Sequence, residues 1–346
     1  MTGPRPVRVL VAEDSTTTRE FLVEILRTGG LEVVGQAKSG LEALEMTKAL
    51  RPDVVTMDIR MPGMDGLEAT KRIMIEAPTP IVIVSGSRDV REVEVTMHAL
   101  RAGALTALPK PEGPGSLAFE ESARIFADTV RAMSQVKVVR HWPDRPSPDA
   151  AGSGPERNGR VKGRVVAIAA STGGPAALAR ILSDLPGSFP VPILVVQHMA
   201  AGFAEGVAFW LNQNSSLRVQ VAKEGETLQA GRVYLAPDHH HLGVADRSTI
   251  HLSSDPPIGG FRPSGTHLFN SVADTFGPAA VAVILTGMGE DGVKGLAAVK
   301  HAGGRVVAQD EGSSVVFGMP GAAVAAGCVD HVLPLASIAF RLGEWV

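Results

Sequence analysis

Cysteine is almost absent from this sequence: Cys328 is the single one among 346 residues. One thiol excludes a disulfide framework and a zinc site built from cysteines. A basic excess is missing as well, because 33 Lys and Arg stand against 36 Asp and Glu, for a net charge of −3. Proteins that bind nucleic acid usually carry a clear basic excess, so the charge balance argues against a nucleic-acid partner.

Long hydrophobic runs are also lacking. The uninterrupted apolar run at residues 279–285 is far shorter than the about 20 residues that a membrane-spanning helix needs. The apolar run at residues 7–12 is short and is interrupted by Arg8, unlike the core of a signal peptide. We therefore expect a cytoplasmic protein that does not insert into a membrane.

The length predicts two domains at about 150 residues per domain. Between Arg140 and Arg164 the chain is rich in proline, glycine and charge and has almost nothing to bury. Such a composition is typical of a linker. We predict a first domain over residues 5–135, a flexible linker over 136–163 and a second domain over 164–346.

The first domain alternates short, β-branched apolar segments with longer segments of helical spacing. Five such units predict a five-stranded, doubly wound parallel sheet of the flavodoxin-like type. Capping-box patterns at residues 17–20 and 39–42 predict the starts of two helices. The predicted strands cover residues 7–12, 31–36, 54–57, 81–85 and 105–108.

Polar side chains follow the predicted strands of the first domain where each strand ends. Glu13 and Asp14 follow the first strand, Asp58 the third, Ser85 the fourth and Lys110 the fifth. Taken singly, each is a typical helix cap or solvated loop residue. Together they predict one site at the carboxyl edge of the sheet, where carboxylates suit Mg²⁺ and the lysine can neutralise a phosphoryl group.

The same residues carry a family resemblance. The first domain is similar to a two-component receiver domain in the motifs VAEDS (11–15), MDIRMP (57–62), MDG (64–66), Ser85 and PKP (109–111). The resemblance implies that Asp58 is the phosphoacceptor and that Ser85 and Lys110 are the switch residues. It also implies that Glu13, Asp14 and Asp58, with the backbone carbonyl of Arg60, bind Mg²⁺.

The second domain shows the same alternation less regularly and predicts a second, Rossmann-like doubly wound α/β sheet. Residues 236–261 are rich in turn formers and predict short strands at most. The predicted strands cover 165–169, 193–197, 232–236, 281–286, 305–308 and 329–332, and the predicted helices cover 175–183, 203–212, 266–276, 291–302 and 320–326.

Three side chains that could form a nucleophilic triad follow strands of this sheet. Ser171 lies in a strand-to-helix turn that resembles half of a nucleophile elbow, His198 follows the next strand and Asp291 a later one. Each has an ordinary alternative: the serine turn also suits phosphate at a helix N-terminus, and the histidine suits a packed loop.

Two competing patterns remain open on spacing alone. GMGEDG (287–292) is a literal G-x-G-x-x-G, and Asp310 lies near the offset expected for a ribose-binding acid, which would indicate a dinucleotide site. Against it, Asp291 places a charge where a pyrophosphate would lie. His239 and His241 would share one face of a strand and could bind a metal, although a polar loop is the simpler interpretation.

A second resemblance covers this domain. The motifs ASTGGP (170–175), VVQHM (195–199), LTGMGEDG (285–292) and FGMP (317–320) resemble the methylesterase domain of chemotaxis response regulators, the CheB family. The resemblance implies that Ser171 is the nucleophile, His198 the base and Asp291 its orienting acid, with Thr172 and Met288 near the oxyanion. His267 is an unusual residue for the family at its position and puts peptide recognition in question.

Together the resemblances imply a phosphorylation-activated protein-glutamate methylesterase and protein-glutamine glutaminase. Its expected partners are a chemotaxis histidine kinase as phosphodonor and methyl-accepting chemotaxis receptors as substrates. The receiver domain is expected to need Mg²⁺, and the esterase no cofactor. The alternative is a regulator without catalysis, in which the second domain only binds signalling proteins.

Overall fold

The computed structural model describes residues 5–86, 90–117, 119–136, 138 and 164–346. Apart from residues 136 and 138, the predicted linker over 136–163 lies outside the described residues. The domain boundaries drawn from the sequence therefore stay predictions.

The first domain is a five-stranded parallel sheet in the order β2-β1-β3-β4-β5, covered by helices. The predicted doubly wound architecture is confirmed. Strands β3 and β4 are buried along their whole length, as expected where helices cover both faces of a sheet. The elements are β1 Arg8–Ala12, α1 Thr16–Thr28, β2 Glu32–Ala37, α2 Gly40–Leu50, β3 Val54–Asp58, α3 Gly66–Glu76, β4 Ile81–Ser85, α4 Val90–Arg101, β5 Thr106–Pro109 and α5 Phe119–Met133.

Side-chain caps fix where the helices of this domain begin. Ser39 caps α2 by accepting a hydrogen bond from the backbone N–H of Glu42, as its capping-box pattern predicts. The pattern at residues 17–20 is wrong as a helix start, because α1 is capped by Ser15, whose hydroxyl accepts from the N–H of Thr18. A serine two residues earlier satisfies the same free N–H groups.

The second domain is a seven-stranded parallel sheet in the order β14-β13-β12-β6-β7-β9-β8, with a separate antiparallel pair β10-β11. The predicted α/β class is confirmed. The elements are β6 Val165–Ala170, α6 Gly174–Asp184, β7 Ile193–Gln197, α7 Ala204–Gln213, β8 Arg218–Val221, β9 Arg232–Leu235, β10 His241–Val244, β11 Ile250–Ser253, α8 Gly265–Phe276, a 3-10 turn Gly277–Ala279, β12 Ala280–Ile284, α9 Val293–His301, β13 Arg305–Gln309, α10 Met319–Ala325, β14 His331–Leu333 and α11 Leu335–Trp345.

The strand order places a crevice at the centre of each sheet. Strand β6 lies between β7, which follows it in the chain, and β12, which comes much later. From β6 the chain continues to β7 on one side, and only much later does it form β12 on the other side. Ligands bind at such a switch point, at the carboxyl ends of the strands. In the first sheet, β1 lies between β2 and β3 in the same way. The predicted site residues lie at the carboxyl ends of strands at or beside these two points, except Lys110, which follows the edge strand β5.

Candidate active site and receiver site

A tight turn after β6 presents Ser171. The backbone N–H of Ser171 donates to the carbonyl of Thr286 (3.0 Å), and the N–H of Gly174 donates back to the carbonyl of Ser171 (2.8 Å). Gly173 has a φ of 78°, a left-handed conformation that favours glycine. A Cβ atom at Gly173 would also lie 2.6 Å from the side chain of Val315, so the turn requires glycine on two counts.

A second glycine packs directly against the serine. A Cβ atom at Gly287 would lie 2.6 Å from the Cβ of Ser171. The carbonyl of Gly287 accepts hydrogen bonds from the N–H groups of Gly318 and Met319, and these bonds fix the backbone of Gly287 beside the serine. The G-x-G-x-x-G pattern includes Gly287, and the atoms that exclude a side chain there belong to Met319 and Ser171.

His198 and Asp291 form a directly bonded pair. Nε2 of His198 lies 2.9 Å from Oδ2 of Asp291. Asp291 is buried and accepts three further hydrogen bonds, from the hydroxyl of Ser264 (2.7 Å) and the N–H groups of Gly265 (2.6 Å) and Thr266 (3.2 Å). Burial by itself would raise the pKa of Asp291, but the hydrogen bonds from His198, Ser264 and Gly265 outweigh it and hold this pKa well below its usual range.

The ionised carboxylate fixes which nitrogen of His198 carries the proton. A carboxylate only accepts hydrogen bonds, so Nε2 is the donor and Nδ1 keeps its lone pair in the neutral ring. Nδ1 is buried and has no hydrogen-bond partner among the described residues. His198 and Ser171 line the same cavity. The arrangement therefore offers a basic nitrogen, oriented by Asp291, beside the serine turn.

Gln197 joins the serine and histidine segments. Its amide nitrogen donates to the backbone carbonyls of Ser171 and His198, both at 2.8 Å. Gln197 and Ser264 were missed by the sequence reasoning. A polar residue ending an otherwise apolar strand is the signal that could have pointed to Gln197. The capping position before α8 is the corresponding signal for Ser264.

The predicted oxyanion residues flank the serine. The carbonyl of Thr172 accepts from the hydroxyl of Thr286 at 2.9 Å, which ties the serine turn to the end of β12. Met288 directly follows Gly287, the glycine in contact with Ser171, and is 37% exposed. Both candidates are thus at the turn, and their role in binding an oxyanion stays a prediction.

The first domain closes the cavity in front of the serine. The cavity measures about 30 Å³, far less than the roughly 300–1,000 Å³ of a typical ligand pocket. The backbone N–H of Gly173 donates to the carbonyl of Leu105, the residue before β5, at 3.2 Å. The lining side chains come from both domains: Met97, Leu100, Leu105, Thr106 and Ala107 from the first, and Ser171, Gly173, Pro175, Gln197, His198, Met199, Ala200, Phe203 and Val207 from the second.

The residues of the first domain predicted to form one site do converge. Nζ of Lys110 lies 2.7 Å from Oε2 of Glu13 and 3.2 Å from Oδ2 of Asp58, and Ser85 is buried at the end of β4. Carboxylate oxygens of Glu13, Asp14 and Asp58 lie within 4.8 Å of one another. Burial raises the pKa of Glu13 and of Asp58, although Lys110 opposes the rise in both.

The competing patterns do not lead to sites. Asp310 turns its carboxylate to its own loop, accepting from the N–H of Ser313 at 3.0 Å, and Asp291 is fully engaged in the network of His198. His239 lies in a turn with φ of 61°, before β10 begins at His241, so the two histidines do not share a strand face. The polar-loop interpretation of His239 is the correct one.

His267 packs against a second histidine. Its ring stacks on that of His241, with centroids 4.7 Å apart and planes 15° apart. His241 is fully buried, and burial, reinforced by His241, lowers the pKa of His267. His267 directly follows Thr266, which donates to Asp291. Its effect on peptide recognition stays a prediction.

Known proteins with this architecture decide the family. Residues 166–342 match the family model for the CheB methylesterase, and residues 9–119 match that for the response regulator receiver domain. The chain belongs to the CheB methylesterase family. It is a methylesterase-class hydrolase joined to a response-regulator receiver.

Several CheB relatives match nearly the whole chain. Protein-glutamate methylesterase/protein-glutamine glutaminase 4 of Myxococcus xanthus (strain DK1622) is 55% identical over 340 residues, which is 97% of this chain and 96% of the relative. The enzyme numbered 3 from Anaeromyxobacter dehalogenans (strain 2CP-C) is 55% identical over 98% of this chain and 99% of its own length. The crystal structure of the Thermotoga maritima CheB methylesterase catalytic domain is 42% identical, covers 54% of this chain and all of that domain, and superposes with a TM-score of 0.53.

Across the described residues of this chain, every helix is too short or too polar to cross a bilayer.

Proposed function

We propose that this protein is a phosphorylation-activated protein-glutamate methylesterase and protein-glutamine glutaminase that acts on methyl-accepting chemotaxis receptors. The observation that carries the proposal is the His198–Asp291 pair, bonded at 2.9 Å, together with the cavity that both His198 and Ser171 line. The relatives from Myxococcus xanthus and Anaeromyxobacter dehalogenans carry the same two activities in their names.

The reaction begins with proton transfer to the histidine. Nδ1 of His198 takes the hydroxyl proton of Ser171 as the serine oxygen attacks the γ-carbonyl of a glutamate methyl ester. The ring becomes positively charged, and Asp291 stabilises that charge through Nε2. Backbone N–H groups at Thr172 and Met288 stabilise the negative oxygen of the tetrahedral intermediate.

The second half of the reaction restores the enzyme. His198 returns the proton to the leaving methoxide, methanol departs, and the glutamyl group is left esterified to Ser171. Water then attacks this acyl-enzyme as His198 takes its proton, the bond to the serine oxygen breaks, His198 returns the proton to Ser171, and the receptor side chain leaves as a glutamate carboxylate. A glutamine substrate follows the same course, with ammonia as the first leaving group.

The receiver site fits a hard divalent cation and a phosphoryl group. Glu13, Asp14 and Asp58, with the backbone carbonyl of Arg60, would hold Mg²⁺, because its preferred ligands are oxygens. The buried Glu13 and Asp58 share Lys110 as a counter-charge, so the cluster is rich in negative charge for a cation to neutralise. Mg²⁺ would supply charge neutralisation for phosphate at this site.

Within this site, Asp58 accepts the phosphoryl group from a chemotaxis histidine kinase. Ser85, buried at the end of β4, lies where it can respond to the new group, and Lys110 already contacts the carboxylate of Asp58. A phosphoryl group adds negative charge and strong hydrogen-bond acceptors, which draw donors and cations toward it.

The closed cavity supports inhibition by the unphosphorylated receiver. A methyl-glutamyl side chain cannot enter a space of about 30 Å³ that Leu100 and Leu105 close from the first domain. Phosphorylation of Asp58 would bias the contact between the domains toward opening, so that the substrate reaches Ser171.

The test is methanol release from methylated receptor membranes, with and without a small-molecule phosphodonor. Ser171→Ala should abolish release under both conditions, whereas the control Ser183→Ala, an exposed serine on α6, should leave it unchanged. Release that survives Ser171→Ala would refute the serine mechanism. No release from the wild type would favour a regulator that only binds its partners.

A further inference from the structure

An aromatic ring lies flat on the proposed base. The rings of Phe261 and His198 stack with centroids 4.2 Å apart and planes only 7° apart. Phe261 is 36% exposed, so burial in a core does not account for its position. Nothing in the reaction described above uses this residue.

A short turn fixes the backbone of Phe261. Ile258 and Phe261 exchange two backbone hydrogen bonds of 3.0 Å across Gly259 and Gly260. The two glycines have φ of 60° and 89°, so both central residues of the turn are in the left-handed region, as the tightest hairpin turns require. Phe261 therefore directly follows a two-residue turn, and its two backbone hydrogen bonds to Ile258 fix its position.

The same segment also holds the acid. Three residues after Phe261, Ser264 donates to Asp291 and begins α8, whose first N–H groups complete the carboxylate's shell. Between them, the guanidinium of Arg262 donates to the carbonyls of Ser254 and Asp255. One stretch of chain thus supports the imidazole face and its carboxylate partner together.

We propose that Phe261 is a positioning residue for His198, and that its ring face stabilises the positive charge that the imidazole gains on taking the serine proton. This inference rests on the proposed function. A cation over the face of an aromatic ring is attracted by the negative charge density of that face. The neutral imidazole gains less from the same stack, so the benefit grows as the reaction proceeds, which raises kcat rather than lowering KM.

The charges around the imidazole do not duplicate this role. Among the described residues, the charged group bonded to the His198 ring is Asp291, which meets it edge-on at Nε2. Gln197 and Ser171, from the neighbouring β7 and β6 ends, are neutral. Phe261 is the group that covers a face of the ring.

The experiment compares Phe261→Leu with Phe261→Tyr in the full-length protein, with Phe340→Leu as the control. Leucine keeps apolar cover but has no π face, tyrosine keeps the face, and Phe340 is an exposed phenylalanine on α11. With phosphodonor and methylated receptor membranes, Phe261→Leu should lower kcat about three- to tenfold with KM within about twofold. Phe261→Tyr and Phe340→Leu should stay within about twofold of wild type.

The proposal also predicts the direction in which the pH profile of kcat/KM moves when Phe261 is replaced. If the ring stabilises the imidazolium, the acidic limb of the kcat/KM profile of Phe261→Leu moves to lower pH, by about half a unit for a threefold effect. The nuclear magnetic resonance titration of the His198 ring should move in the same direction. That titration needs no substrate, so it separates failure of this inference from failure of the proposed esterase activity.

Three results would overturn the proposal. A rise in KM alone would make Phe261 a wall of the substrate site. A titration of His198 that moves to higher pH would mean that the ring acts by excluding water from the histidine. An equal loss of kcat in Phe261→Leu and Phe261→Tyr, with no change in the pH profile, would leave only a structural role.

Discussion

Asp291 shows how a buried charge is kept ionised for a purpose. Four donors surround its two oxygens, from His198, Ser264, Gly265 and Thr266. Every one of these hydrogen bonds favours the carboxylate over the acid, which is why the pKa falls despite burial. The consequence is a fixed tautomer of His198, with its proton on Nε2 and its basic lone pair on Nδ1.

Asp291→Asn should therefore impair catalysis far more than folding. An asparagine amide can turn its NH₂ group toward Nε2, which favours the wrong tautomer of His198. We expect kcat for methanol release to fall by about 10³ to 10⁴, the range seen for the equivalent change in a serine protease triad. Asp274→Asn, an exposed aspartate on α8, is the matched control and should have wild-type kcat. A fall of less than about tenfold in Asp291→Asn would contradict the orienting role.

The lowered pKa of Asp291 also predicts the pH dependence of stability. A carboxyl whose pKa is lower in the folded state than in the unfolded state contributes stability above its unfolded pKa, and this contribution is lost as the pH falls. We expect urea unfolding to show Asp291→Asn less stable than wild type at neutral pH by about 1–3 kcal/mol. The difference should shrink below the ordinary aspartate range. Fluorescence of Trp210 and Trp345, both in the second domain, reports the transition, and a difference independent of pH would contradict the assignment.

Gly287 tests the packing behind the serine. In Gly287→Ala the new methyl group would lie 2.6 Å from the Cβ of Ser171, so the serine turn must move. We expect the free energy of unfolding to fall by about 1–3 kcal/mol and methanol release to fall with it, because the nucleophile is displaced. Gly343→Ala is the matched control, since an added Cβ there meets nothing within 4 Å. Wild-type methanol release by Gly287→Ala would show that the turn accommodates the methyl group without displacing Ser171.

The sequence predicted the catalytic candidates better than their supports. Ser171, His198 and Asp291 follow buried strands, and the carboxyl ends of parallel strands meet at one edge, so simple topology brings them together. Gln197 donates to the carbonyl of Ser171 and Ser264 donates to Asp291, and both of these partners lie far away along the chain. Those partners depend on exact backbone paths, which no periodic pattern records.

At the scale of elements, the buried strands and the edge strands β2, β5 and β14 were predicted to within two residues at each bound, and the edge strand β8 was not. Strand β4 was predicted with its exact bounds because five consecutive apolar or small residues are buried on both sides. Strand β8, Arg218–Val221, was missed: it lies at the edge of the sheet, is only partly buried and carries polar residues. Helix α11 was missed as well, although it packs on α6 and buries Ile338 and Leu342.

Helix α4 is the element that joins the two halves of the proposed mechanism. It packs against α7 and α6 of the second domain, and its Met97 and Leu100 belong to the same buried apolar cluster as Phe203 and Val207. It lies in the chain between Ser85 at the receiver site and Leu105, whose carbonyl accepts from Gly173. A shift of α4 on phosphorylation would reach the serine turn directly.

Leu100→Asp should uncouple esterase activity from phosphorylation. Leu100 is buried against the second domain, and a carboxylate there would be desolvated without a partner, which destabilises the closed contact. Each loss of about 1.4 kcal/mol raises the open fraction about tenfold while the closed form dominates. We expect methanol release without phosphodonor to rise about tenfold or more and the further stimulation to shrink. His98→Asp, on the exposed side of the same helix, should leave both unchanged. Unchanged basal release by Leu100→Asp would refute inhibition through this contact.

At the scale of the whole molecule, the receiver sheet has the proposed phosphorylation site at one end and contacts the second domain at the other end. The receiver site lies at the carboxyl ends of β1, β3 and β4, whereas Leu105 precedes β5 and lies at the other end of that sheet. The second sheet meets it with the carboxyl ends of β6 and β7, where Ser171 and His198 lie. A signal at the carboxyl end of the receiver sheet must therefore cross that sheet, and α4, which runs from the end of β4 to the start of β5 and packs on α6 and α7, connects the two ends.

Removing divalent cations should therefore separate regulation from catalysis. In the proposed function Glu13, Asp14 and Asp58 would hold Mg²⁺ at the receiver site, while the esterase chemistry proposed for Ser171 and His198 draws on protein groups alone. With EDTA present, we expect phosphodonor stimulation of methanol release to disappear and basal release to remain, and excess Mg²⁺ should restore stimulation. Asp58→Asn should behave as the EDTA-treated wild type does, whereas Asp128→Asn, an exposed aspartate on α5, should be stimulated normally.

The pH dependence of Mg²⁺-dependent stimulation follows from the burial of the carboxyl groups of Glu13 and Asp58. Because burial raises the pKa of Glu13 and Asp58, protons compete with Mg²⁺ at a higher pH than they would at an exposed acidic cluster. The Mg²⁺ concentration for half-maximal stimulation should accordingly rise as the pH falls from neutral, while basal release follows the separate titration of the esterase site. If EDTA abolished basal methanol release as well, the proposal that only the receiver site needs a divalent cation would be wrong. A metal would then have to be sought near Ser171.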